Sequence, residues 1–183
     1  MKNTLSILAV LTLATVTKAQ TVPDQYQVVP GQRLGRVFLG DSRAAVMRRL
    51  GKPAKTFNLA AGLSSDLWRG SKRLDTGQSN TLEVIFRRGV VVQIETTNPV
   101  FKTKAGLNIL SPGEEWNEFY NRPAISYFRY PKRGNLTYQY HDWKSDGLAL
   151  ELIETEDEPS PETLIIHRKG FRVIPDMGGI ATR

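Results

Sequence analysis

Apolar residues recur at helical spacing between residues 39 and 53. Val46 and Leu50 lie four apart, so they fall on one face of a helix. Asp41 precedes this run as a candidate N-cap, and Gly51 and Pro53 supply a left-handed position and a stop. The pattern predicts a helix over about residues 42–50.

A second stretch, residues 109–123, has the same design. Ser111 takes the position of the N-cap, and Trp116 and Tyr120 lie four apart on the predicted buried face. The run ends at residues 121–123, Asn-Arg-Pro. A second helix is therefore predicted over about residues 112–120.

Polar and apolar residues alternate in several other stretches, which is the pattern of strands with one buried face. Residues 81–87 and 90–96 flank Arg88-Gly89, which predicts a β-hairpin. Residues 136–143 and 148–154 alternate on either side of Asp146-Gly147. A further strand is predicted at residues 163–167.

The two helices are seventy residues apart, and other features repeat at nearly the same offset. Leu-Glu-Val-Ile at residues 82–85 is matched by Leu-Glu-Leu-Ile at residues 150–153, and Trp68 by Tyr138. The repeat predicts an α+β fold made of two tandem modules, each with a helix on an antiparallel sheet. The predicted divisions are a signal peptide (1–19), an N-terminal arm (20–33), module 1 (34–100), module 2 (101–170) and a C-terminal tail (171–183).

The first residues have the pattern of a secretory signal. Lys2 precedes an apolar run over residues 5–16, and Thr17-Lys18-Ala19 is a small-x-small cleavage site. We therefore expect cleavage near Ala19 and an extracytoplasmic location, either periplasmic or fully secreted, with no transmembrane segment in the mature chain. The 183 residues include no cysteine, which excludes a lipid-anchoring cysteine and a disulfide framework.

The formal charge of +7 favours encounter with acidic surfaces. A soluble basic secreted protein explains this charge better than nucleic-acid binding does, because a secretory signal removes the chain from most nucleic acid. The positive net charge therefore indicates that a partner is acidic, but it does not indicate which class of molecule the partner is.

The order of elements around the first helix resembles a known group of secreted modules. A lead-in strand is followed by Leu39-Gly40-Asp41-Ser42, then by Leu50-Gly51-Lys52-Pro53 and three predicted strands. This order resembles the BamE (SmpA/OmlA)-like and β-lactamase-inhibitor-protein (BLIP)-like modules over about residues 34–170. The resemblance implies a helix laid on an antiparallel sheet. The chain has no cysteine for the lipid anchor of BamE-type proteins or the disulfides of BLIP proteins, so inhibition of β-lactamase is not transferred.

Candidate catalytic and metal chemistry is sparse. His141 and His167 lie on different predicted strands without a metal-ligand spacing, so we interpret both as surface histidines. There is no cysteine nucleophile and no Gly-x-Ser-x-Gly motif, and Glu114 and Glu115 fit the first turn of a helix, where negative charge is favourable. The acidic residues 154–158 lack the order of a calcium loop. We predict no enzymatic activity, cofactor or metal; a hydrolase with a site between the modules remains an alternative.

The alternation also predicts which side chains face outward. We expect the helices to cover one face that carries the apolar positions of three strands, namely Leu82, Val84, Phe86, Leu136, Tyr138, Tyr140, Leu148, Leu150 and Leu152. The opposite face would then mix apolar, aromatic and charged residues, as protein-binding surfaces do. From this face we predict partner-binding residues Ile85, Arg87, Val91, Gln93, His141, Trp143 and Ile153.

The leading interpretation is a non-enzymatic binding protein whose partner is another extracytoplasmic protein. Two structural alternatives remain for the outer residues: the modules pack them against each other, or they are scattered exposed side chains. A second function is an envelope scaffold that contacts anionic polymer or outer-membrane components through basic residues, namely Arg48, Arg49, Lys52, Lys72, Arg73, Arg87 and Arg88.

Overall fold

Antiparallel strands dominate the structure, a computed structural model that describes residues 22–73, 79–131, 137–154 and 160–174. The predicted signal peptide, residues 155–159 of the acidic stretch and residues 175–183 of the predicted tail lie outside these ranges. Within them the chain forms two α-helices and eleven β-strands: β1 (Val28–Val29), β2 (Arg33–Leu34), β3 (Val37–Phe38), α1 (Arg43–Leu50), β4 (Lys55–Asn58), β5 (Leu63–Arg73), β6 (Ser79–Arg87), β7 (Val90–Thr96), α2 (Gly113–Phe119), β8 (Ile125–Pro131), β9 (Thr137–Trp143), β10 (Leu148–Glu154) and β11 (Ser160–His167).

Eight of these strands form one continuous antiparallel sheet in the order β4-β5-β6-β7-β11-β10-β9-β8. Its centre is the pairing of β7 with β11, where Ile94 lies opposite Ile166. The prediction of two tandem helix-on-sheet modules is therefore wrong. Strands from the two predicted modules share a backbone ladder, and both helices pack into one hydrophobic cluster through Val46 and Trp116. Local sequence similarity indicated repeated elements, but it could not reveal that their sheets are joined.

The residues before α1 form a small three-stranded sheet, β1-β2-β3, rather than only a lead-in arm. A bridge between Gln27 and Lys102 ties this sheet to the segment before α2. The amide of Gly31 donates to the carbonyl of Gly147 at 3.0 Å in the turn after β9. A Cβ on Gly147 would lie 2.3 Å from the carbonyl oxygen of His167, so this close approach of three backbone segments requires glycine.

The helix predicted over residues 42–50 is confirmed as α1, but its cap is not Asp41. Ser42 is the N-cap, and its hydroxyl accepts from the amide of Ala45 at 3.2 Å. The carboxylate of Asp41 instead accepts from the amide of Phe38 at 2.9 Å and pairs with Arg49. Two adjacent residues were each chemically able to cap the helix. The carboxylate of Asp41 is engaged by the preceding turn and by Arg49, and Ser42 caps the helix.

The second predicted helix is confirmed as α2, with Trp116 buried and Asn121 at a left-handed φ of +51° just after the helix. Ser111 does not cap it: Pro112 is the N-cap and provides no side-chain hydrogen bond, and the Ser111 hydroxyl accepts from the amide of Asn108. The two acidic residues of the first turn are exposed near the positive end of the helix dipole, as predicted.

The hairpin at residues 81–96 is also confirmed. Arg88 and Gly89 have φ values of +52° and +77°, which define a two-residue turn whose twist matches that of the strands. The register then shifts: Ile85 lies opposite Gln93, whereas Phe86 lies opposite Val91. One residue of β7, Val92, is therefore extra. This bulge changes which face of the sheet Val91 occupies.

The face of the sheet that packs against α1 and α2, here called the helix face, carries most of the apolar core. Its central row runs across the strands from Trp143 through Leu148 and Ile166 to Ile94 and Val84, all of them buried. The rings of Trp116 on α2 and Trp143 on β9 lie 5.9 Å apart. Burial of this continuous apolar surface supplies the main stabilisation of the fold.

Candidate functional site

The opposite face, here called the second face, is also buried, but its composition is different. Tyr140, Ala149 and Ile165 form a small apolar cluster there with Val173 from the segment after β11. Strand alternation and pairing place six buried polar residues on the same face. They are Ser65, Gln93, Glu95, Asp142, Glu151 and His167.

The predicted binding residues do not form one exposed surface. Ile85 and Gln93 lie on the second face but are almost completely buried, whereas Arg87 on that face is exposed. Ile153 is half-buried on the second face, where it pairs with Tyr138. The alternation therefore placed these four residues on the predicted face, but it could not show how much of that face is covered.

Three of the predicted binding residues lie on the helix face, which corrects their assignment. Trp143 and Val91 belong to the main hydrophobic core, and His141 pairs with Leu150 of that face. Val91 lies on the helix face and not on the predicted face because the bulge in β7 shifts the alternation of this strand by one residue. Trp143 and His141 were assigned wrongly because β9 carries aromatic residues at both alternating positions, so alternation could not distinguish its two faces.

For the same reason, the two tyrosines of β9 were predicted on the wrong face of the sheet. Tyr138 and Tyr140 were predicted to face the helices, but they lie on the second face, where Tyr140 contacts Ala149 and Ile165. Leu136, predicted beside them, lies outside the described residues. Residues Leu82, Val84, Phe86, Leu148, Leu150 and Leu152 do face the helices, as predicted.

A buried hydrogen bond joins β9 and β11 on the second face. The Nε2 atom of His167 lies 2.9 Å from Oδ1 of Asp142, and its Nδ1 atom donates to the carbonyl of Arg168 at 3.2 Å. Both ring nitrogens therefore have a hydrogen-bond partner within the chain. This arrangement connects the end of β11 to β9.

The two histidines differ from the surface residues that the sequence predicted. His167 is buried, and His141 is half-buried on the opposite face of the sheet, so the two cannot share a metal ion. Burial lowers the pKa of His141 below its ordinary value. The side-chain amide of Gln139, whose nitrogen lies 3.2 Å from Nε2 of His141, donates to the neutral imidazole.

Gln93 binds a segment of its own chain. Its Oε1 atom accepts from the amide of Ile174 at 2.7 Å, and its Nε2 atom donates to the carbonyl of Ile174 at 2.8 Å and to Glu95 at 2.6 Å. The neighbouring Val173 is buried in the cluster of the second face. The sequence prediction missed this intrachain contact because a glutamine at a strand position carries no signal for its partner.

This segment forms one wall of a pocket of about 490 Å³, here called the tail pocket. The floor includes Val91 and Val92 of β7, and the rim includes Phe171 and Val90, which are 56% and 43% exposed. The volume lies within the range of pockets that hold small ligands or peptide side chains. Exposed apolar residues around a concave site are typical of a binding surface.

The charge of the tail pocket has one sign. Its lining includes Arg87, Arg168 and Arg172, and none of the described residues that line it is a carboxylate. The guanidinium of Arg168 lies 4.9 Å from the centre of the Phe171 ring, which holds a positive charge beside an exposed aromatic surface. The pocket thus combines an apolar floor with cationic groups at its rim.

Two other concavities are organised differently. One, of about 160 Å³, is lined by Glu83, Glu95, Glu151 and Glu162, and each of these glutamates already has an interaction partner. Another, of about 650 Å³, lies beside the small sheet and is lined by arginines whose side chains bind carboxylates or amide oxygens of the chain. Both sets of charges are satisfied within the protein.

The basic residues of the scaffold alternative do not converge. Arg49 is paired with Asp41, whereas Arg48 and Lys52 are exposed near the end of α1. Arg87 and Arg88 are exposed at the β6–β7 hairpin. The side chains of Lys72 and Arg73 lie outside what the structure describes.

No family model and no curated protein matches the chain. Among solved structures, a cysteine-rich secretory protein from Staphylococcus aureus matches 81% of this chain and 49% of its own, with 13% identity and a TM-score of 0.42. An extracellular protein containing an SCP domain from Bacillus anthracis matches 95% and 59% of the two chains, with 14% identity and a TM-score of 0.40. The chain spans less than two thirds of either protein, and likeness at this level carries no argument about activity.

None of the helices in the described residues has the length and apolar character needed to cross a membrane. The comparisons do not bear on the resemblance to BamE-like and BLIP-like modules, which stays a prediction. The geometry of the tail pocket is therefore the basis for a functional proposal.

Proposed function

We propose that the chain is an extracytoplasmic, non-enzymatic binding protein that holds a protein partner at the tail pocket. The observation that carries this proposal is the exposed Phe171, with Arg168 against its ring, in the lining of an apolar concavity that also includes Arg87. Aromatic and arginine side chains around a pocket supply most of the binding energy in many protein interfaces. The secretory pattern of residues 1–19 supports the extracytoplasmic location.

The proposal changes the location of the predicted surface but keeps its class. Arg87 remains a partner-binding candidate, and Phe171, Val90 and Arg168 join it. Gln93 acts indirectly, because it holds Ile174 in the pocket wall. Trp143 and Val91 support the fold through the core.

Site-specific photocrosslinking tests the proposal. A photoreactive phenylalanine analogue at Phe171 is compared with the same analogue at Phe119, which is 47% exposed on α2 and is not among the described residues that line the tail pocket. Each variant is expressed in the native host and irradiated, and its adducts are identified by mass spectrometry. We expect a defined protein adduct at position 171 and not at position 119.

Absence of an adduct at position 171, or the same adducts at both positions, would contradict the proposal. A heterogeneous polymer adduct that disappears at raised ionic strength would favour the scaffold alternative instead, because contacts between exposed charges are screened by salt. Folding of both variants is checked by their unfolding midpoints before irradiation.

A further inference from the structure

The lining of the tail pocket indicates the chemistry of its ligand. Apolar side chains form the floor, and cationic side chains lie at the rim, with no described carboxylate among the lining residues. An apolar side chain in the floor gains from burial, and an acidic neighbour gains from the arginines. A basic ligand of the same shape would meet like charges instead.

We propose that the tail pocket takes a peptide segment of the partner protein in which acidic residues alternate with apolar ones. This inference rests on the proposed function and adds the chemical class of the bound segment. An extended segment rises about 3.3 Å per residue, so the acidic neighbours of an apolar side chain in the pocket lie only a few ångströms along the segment, within reach of the long arginine side chains of the lining.

The position of Arg168 supports this assignment. Its guanidinium lies over the Phe171 ring, so this exposed side chain is held beside the apolar surface. An arginine ordered in this way loses less conformational freedom when a carboxylate binds. Arg87, at the end of β6, also lines the pocket and is exposed, so the lining offers a second cation to the acidic neighbours of a bound apolar side chain.

The net charge acts in the same direction but at longer range. The chain carries a formal charge of +7, which attracts any acidic peptide irrespective of where it binds. A test of the pocket must therefore separate local contacts from general attraction. Arg48 and Lys52, which are exposed near the end of α1 and do not line the tail pocket, offer a matched removal of two positive charges.

The experiment measures fluorescence anisotropy of three labelled peptides with the same leucine positions, separated by glutamate, glutamine or lysine. The variant Arg87→Gln/Arg168→Gln is compared with Arg48→Gln/Lys52→Gln and with the unchanged protein. We expect the glutamate peptide to bind most tightly, and its affinity to fall about tenfold in the pocket variant but less than about twofold in the control. Phe171→Ser should weaken all three peptides, because it removes the apolar rim.

Equal losses in the pocket and control variants, or equal binding of the glutamate and lysine peptides, would overturn the inference. A protein adduct at Phe171 combined with no preference for the glutamate peptide would reject the acidic segment and leave the proposed function standing. If there is neither a protein adduct at position 171 nor a preference for the glutamate peptide, both the proposed function and the acidic segment are rejected.

Discussion

The helix face and the second face of the sheet are both buried, but they are stabilised by different interactions. The helix face is mainly apolar around Trp116 and Trp143, with the buried Asp66 bound to Arg43 of α1 as its charged exception. The second face buries hydrogen-bonded polar groups, including the Asp142–His167 pair and the contact of Gln93 with Ile174. Apolar contacts tolerate small shifts in position, whereas each buried polar group needs its own partner. The difference suggests that the helix face mainly determines stability and that the second face fixes the position of the segment that forms the tail pocket.

Replacing Trp143 tests the assignment of the helix face. We expect Trp143→Ala to lower the free energy of unfolding by about 3–5 kcal/mol, because it removes a large buried side chain and leaves a cavity against Trp116. The matched change on the second face, Ile153→Ala, should cost about 1 kcal/mol, since Ile153 is only half-buried. Denaturation by urea measures both. If Trp143→Ala costs as little as Ile153→Ala, the assignment of Trp143 to the buried core of the helix face is wrong.

A double-mutant cycle on Asp142 and His167 tests the polar character of the second face. Asp142→Leu should cost about 2–3 kcal/mol because it leaves a buried imidazole without its carboxylate partner. Asp142→Leu/His167→Leu should cost less than the sum of the single changes, with a coupling of about 1–2 kcal/mol. Stability at constant pH supplies the four values. Strict additivity would show that the two side chains do not stabilise each other.

The smallest expected effect concerns His141 and pH. Burial lowers the pKa of His141 in the folded protein below its ordinary value of about 6.5, so the unfolded chain takes up a proton first as the pH falls. The histidine therefore reduces stability below about pH 6.5 and has little effect at neutral pH. Unfolding of the unchanged protein and of His141→Gln is compared between pH 7 and pH 5. We expect the variant to lose less stability on acidification, and parallel pH profiles would contradict this.

Local signals predicted the local structure well. The spacing of Val46 and Leu50 and the stop at Gly51 indicated α1, and Arg88-Gly89 indicated the hairpin, because each depends on residues close in the chain. The choice between Asp41 and Ser42 as cap was missed because both are suitable and a distant side chain, that of Arg49, engages the first.

The larger arrangement was not predictable in this way. The union of β7 with β11 joins residues about seventy positions apart, and nothing in either strand specifies its partner. The two faces of β9 were confused because both are buried, which removes the contrast between apolar and polar positions that alternation needs. The tail pocket was missed because it forms only where residues 167–174 return to β7, and the sequence does not reveal this long-range contact.

The contact between Gln93 and Ile174 has a consequence for the wall of the tail pocket. The amide and the carbonyl of Ile174 both bind the side chain of Gln93, and the neighbouring Val173 is buried against the second face. Loss of the Gln93 contact would release part of the pocket wall without breaking a backbone bond of the β7–β11 ladder. The position of this wall therefore depends on side-chain contacts that are separate from the backbone bonds of the sheet.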